Sequence, residues 1–61
     1  MEEAAYKVIQ ETQPTMLEAI KDLLDKGQTP RQIGDFVARR DVALAGLVEM
    51  AANHMKKEAT P

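Results

Sequence analysis

Residues 42–57 constrain this chain more than any other segment. Wound as a helix of about 3.6 residues per turn, they place Met50, His54, Leu47, Ala51, Leu44, Met55, Val48, Ala52 and Ala45 on one apolar arc. The arc spans roughly 200°, where a stripe of a little over 100° suffices to face a single core. Glu49, Asn53, Lys56 and Lys57 hold the narrow polar side. Such a helix, about 24 Å long at 1.5 Å per residue, has to be covered on two sides. The whole chain has 61 residues, so at most one or two further helices are expected to cover it.

Nothing covalent helps. There is no Cys, so no disulfide, which fits a reducing compartment. A chain of this length buries only about 60% of its unfolded surface, and domains this small usually need idealised packing, a metal or a partner chain. The expectation is therefore one all-α domain over residues 1–61, of three helices, or four if Pro14 breaks the first, that associates through its C-terminal helix.

The remaining helices follow from punctuation. Over residues 3–26, Ala5, Val8, Ile9 and Thr12, then Met16, Ile20, Leu23 and Leu24, keep one side of a helix through Pro14. Pro14 lacks an N–H and disfavours helical geometry at Gln13, and Thr15 with Glu18 matches a capping box. One kinked helix and two separate helices are both compatible with this pattern. Lys21 and Asp25 are spaced for an i,i+4 ion pair on the solvated side. Gly27 supplies a left-handed stop. Thr29-Pro30-Arg31-Gln32 is the strongest start signal, with Thr as cap, Pro in the first turn and Gln reaching back. It opens a helix over residues 30–39 that is expected to bury Ile33, Phe36 and Val37. Gly34 beside that stripe predicts close approach of another helix, since Gly costs helix stability. Asp41 can cap the last helix, 42–57, with 58–61 as a frayed tail.

Chemistry is sparse. Ser and Cys are absent, and the four Thr fall at caps, turns, a helix edge or the tail, so nucleophilic catalysis lacks its parts. The single His54 sits in the apolar arc and reads as an edge-of-core side chain. With Glu58 it supplies two metal ligands, too few for a site within one chain. No enzyme activity, cofactor or metal is expected. The net charge of −2 and the scarcity of aromatic residues, one Tyr, one Phe and no Trp, give little reason to expect nucleic acid. No apolar run is long enough to cross a membrane, and the acidic start is unlike a signal peptide, so the chain reads as cytoplasmic.

Ile33-Gly34, Val37-Ala38, Leu44 and Leu47 also occupy the apolar and small positions of a two-helix motif. Residues 29–47 resemble helix-turn-helix DNA-binding domains. That resemblance implies DNA binding, with Arg31, Arg39 and Arg40 on phosphate. The sequence departs from the motif at Arg39, which takes a turn position that is normally apolar. The would-be recognition helix begins Asp41, Val42, Ala43, Ala45 and Gly46, with no bidentate donor for a base edge. The preferred reading is a protein–protein interaction module, a small regulator or adaptor, forming a homodimer or binding a helical partner. Its interface is expected to use Leu44, Leu47, Val48, Ala51 and Met55, with His54 and Arg40 giving polar specificity.

Overall fold

Pro14 breaks the N-terminal helix rather than bending it. The computed structural model describes residues 1–59 and contains four helices: α1 (Glu2–Thr12), α2 (Pro14–Asp25), α3 (Pro30–Val37) and α4 (Val42–Ala59). Gln13 stands between the first two with φ −143° and ψ 68°, well outside helical geometry, as a residue before proline prefers. Pro14 takes the first helical position of α2, and no side chain caps that end. Thr15 is thus inside the helix, and the capping box expected at Thr15 and Glu18 does not form. Thr12 turns its hydroxyl back onto the Val8 carbonyl at 2.7 Å, so it is exposed rather than part of the packed face.

The other punctuation works as the residue types require. At the end of α2, Gly27 has φ 91°, its N–H donates to the Leu24 carbonyl at 3.0 Å and the Gln28 N–H to the Leu23 carbonyl at 3.1 Å. This pair of bonds closes a helix only where one residue is left-handed. Thr29 and Gln32 form a reciprocal box: Gln32 N–H donates to Thr29 Oγ1 at 3.2 Å and Thr29 N–H to Gln32 Oε1 at 2.9 Å. Replacing that hydroxyl by Thr29→Ala is expected to cost about 1 kcal/mol, read as a lower urea midpoint. An unchanged midpoint would mean the box contributes nothing. Asp41 Oδ1 accepts from the Leu44 N–H at 3.1 Å and caps α4.

Two boundaries move. Helix α3 ends at Val37, two residues before the expected Arg39, because Ala38 leaves helical geometry at φ −127° and ψ 48°. Arg40 therefore lies in the turn before α4. Helix α4 runs to Ala59, past the expected end at Lys57. Of the expected frayed tail, Glu58 and Ala59 are helical, and Thr60 and Pro61 lie outside the described residues.

The core takes one large side chain from each helix: Ile9, Ile20, Ile33 and Val48 are the largest fully buried ones. Ala51 and Ala52 join them in one cluster, and Ala5 and Ala38 are buried as well. Helix α4 is the centre of the bundle, packed most extensively on α1 and α3 and less on α2. It runs antiparallel to α1. Lys57 Nζ lies 2.7 Å from Glu2 Oε1, and one turn further in, the Tyr6 and His54 rings are 5.0 Å apart. All nine residues of the wide α4 arc are buried or half-buried. The chain's own helices therefore cover Val48, Ala51 and Ala52 fully and the rest of that arc in part.

Phe36 departs from expectation. It is 58% exposed. The packed face of α3 is Pro30, Ile33, Gly34 and Ala38, all buried, with Val37 half-buried. Gly34 sets that orientation: a Cβ there would lie 2.6 Å from the Ala45 carbonyl oxygen. The backbone of α3 thus rests directly on α4, and Phe36 is turned to the rim.

Candidate functional site

Packing α3 by its small residues leaves an apolar corner where the chain turns into α4. Val42 is 89% exposed and begins α4, a short turn past the end of α3, and Phe36 stands on the last turn of α3. The Arg39 guanidinium carbon is 5.8 Å from the centre of the Phe36 ring, close enough for the ring's negative face to attract it. Arg31, Arg39 and Arg40 are exposed, and none of them makes an ion pair among the described residues. Asp35 and Asp41 are exposed on the same stretch of chain as Arg39 and Arg40, while Arg31 stands on the first turn of α3, at the end away from Phe36.

A groove opens at the other end of α4, because α2 leans only lightly on α1 and α4. It encloses about 640 Å³. Its apolar walls are Tyr6, Leu24 and Met55, and His54, Lys21, Asp25 and Glu58 line its polar parts. The His54 side chain is 19% exposed, and its Nε2 is 3.7 Å from Glu58 Oε1. Lys21 and Asp25 stand one helical turn apart at the rim without pairing with each other. The i,i+4 pair that does form on α2 is Asp22–Lys26 at 2.8 Å. This order, acid before base, suits the helix dipole better than the reverse. The hydrogen bond and charge of Asp22 hold the Lys26 ammonium above its ordinary pKa.

The residues singled out from sequence thus divide. Val48 and Ala51 have no exposed surface. Expected to meet a partner, they are instead interior residues, sealed by the chain's own helices. Leu44 and Leu47 are half-buried against that core. His54 and Met55 line the groove, while Arg40 belongs to the corner. Val42 and His54 are about 18 Å apart along the axis of α4, so these are two separate surfaces. Phe36 and Tyr6 were missed as surface residues. A signal for Phe36 was present in the Gly34 and Ala38 spacing, which defines a packed face that excludes it.

Among the described residues no three His, Cys, Asp or Glu side chains converge to hold a metal ion. No helix of the described residues is long and apolar enough to cross a membrane. Comparison with protein-family models, with curated proteins and with solved structures gives no match to this chain.

Proposed function

We propose that this chain is a non-catalytic helical interaction module that self-associates, acting as a small regulator or adaptor. One observation carries the reading: Phe36 on the last turn of α3 and Val42 at the start of α4 are both in solvent, with the Arg39 guanidinium over the Phe36 ring. Aromatic and Arg side chains are the types that dominate binding energy at protein interfaces, and covering Phe36 and Val42 with a second copy removes apolar surface from water. The thin core points the same way. With one large buried side chain per helix, Tyr6, Met16, Leu17, Leu23, Leu24, Val37, Leu44, Leu47 and Met55 are only partly covered. A second copy that covers more of this apolar surface adds stability that the chain alone lacks.

Self-association couples folding to concentration. A hundredfold rise in protein concentration is expected to raise the melting temperature by about 5–10 °C, and Phe36→Glu is expected to flatten that dependence. A wild-type melting temperature independent of concentration would overturn the reading.

Duplex DNA is the competing partner, supported by the exposed Arg31, Arg39 and Arg40. Against it stand Asp35 and Asp41 on the same stretch of chain, and the exposed Val42, Ala43 and Gly46 at the start of α4, which offer no side-chain donor to a base edge. Salt-sensitive retention on duplex, lost when Arg31, Arg39 and Arg40 become Gln, would favour DNA instead.

A further inference from the structure

We infer that the association is isologous: two copies meet about a twofold axis at Phe36, with Asp35 of each copy paired with Arg39 of the other. This rests on the self-association reading and adds to it the surface, the symmetry and the polar pairs of the contact.

The arrangement of charge around Phe36 is the argument. Asp35 and Phe36 are exposed on the last turn of α3, and Arg39 is exposed in the turn just beyond it. The Arg39 guanidinium carbon reaches back to 5.8 Å from the centre of the Phe36 ring. Asp35 and Arg39 thus flank Phe36 along the chain with opposite charge, yet neither makes an ion pair among the described residues. Asp41, the other carboxylate of this stretch, is already engaged as the cap of α4.

A surface with one charge of each sign flanking an apolar centre is complementary to its own copy. A twofold axis through that centre exchanges the two flanks, so acid meets base twice and Phe36 packs on Phe36. The planar guanidinium can take each carboxylate in bidentate fashion. The product has an apolar centre and a polar rim, the usual anatomy of a protein interface, and a twofold contact closes after two copies. A partner surface of one dominant sign would not match, because it would face its own sign at Asp35 or at Arg39.

Charge reversal tests this. Asp35→Arg leaves two bases flanking Phe36, and Arg39→Glu leaves two acids. Each variant alone is expected to lose association, with its dissociation constant rising at least about tenfold, because like charges then face each other. Mixed one to one, they are expected to regain it as a species of twice the monomer mass of 6.8 kDa. The double variant Asp35→Arg/Arg39→Glu, which exchanges the two signs, is expected to associate with itself as the wild type does. Helicity by circular dichroism checks that each is folded; should either single variant not be, the double variant decides by itself. A wild type that associates while the mixture or the double variant stays monomeric, or a single variant that associates as the wild type does, would overturn the twofold contact alone. A wild type that stays monomeric at every concentration would overturn the self-association reading beneath it.

Discussion

Ile20→Ala is expected to remove about 2–5 kcal/mol of stability, the range for truncating a fully buried Ile. A chain of this length has roughly 3–9 kcal/mol in total, so the variant should be largely unfolded or close to it. Ile20 is chosen because it is the only buried residue of α2, the helix that touches its neighbours least. Truncating it removes the one fully buried side chain of α2 and leaves the partly buried Met16, Leu17, Leu23 and Leu24 to hold that helix to the core. Urea unfolding should show a lower midpoint with the slope little changed. Gln10→Ala, at an exposed position on α1, should change the stability by less than about 0.5 kcal/mol. A loss below about 1 kcal/mol for Ile20→Ala, under the low end of that truncation range, would mean the core of Ile9, Ile20, Ile33 and Val48 is not what holds the helices together.

Gly34→Ala sets two known effects against each other. Alanine favours helix over glycine by about 1 kcal/mol, so an open site would gain stability. At Gly34 the added Cβ would meet the Ala45 carbonyl oxygen at 2.6 Å, and a backbone oxygen cannot rotate aside. Helix α3 must lift from α4 and loosen the contact that seals Ile33 and Val48. Overpacking of this kind costs about 1–3 kcal/mol, and the poor tolerance of a backbone contact puts this case at the upper end. The net expectation is a loss of about 2 kcal/mol, or roughly 8–16 °C in melting temperature. Gly46 is the internal control. Nothing lies within 4 Å of a Cβ built there, so Gly46→Ala should gain up to about 1 kcal/mol. If both substitutions stabilise alike, α3 and α4 are not in backbone contact.

The parts of this fold that were legible in the sequence are those decided within one helical turn. The Thr29–Gln32 box, the Gly27 stop and the Asp41 cap each satisfy backbone groups three to five residues away, and no distant contact competes with them. Gly34 was readable because a glycine inside an apolar stripe costs helix stability unless a neighbouring backbone comes close enough to repay it. What lay beyond reach depends on how whole helices face one another. Pro14 permits a kink or a break, and the choice follows from α1 running back along α4, with Glu2 reaching Lys57. Phe36 matched an apolar period, yet α3 has two faces that could oppose α4, and the smaller one does. The wide arc of α4 correctly marked it as the central helix. It could not say how much of that arc the chain itself would cover, which is why Val48 and Ala51 read as a partner surface and belong to the interior. The groove was invisible as a unit because Tyr6, Leu24 and Met55 come from three helices.

Weight-average molar mass by light scattering over a dilution series measures what matters most here. A chain that covers its exposed Phe36 and Val42 with a second copy should scatter above 6.8 kDa, by an amount that grows with concentration and shrinks on dilution. A constant 6.8 kDa up to millimolar protein would contradict the account, leaving the four-helix architecture without the association built upon it.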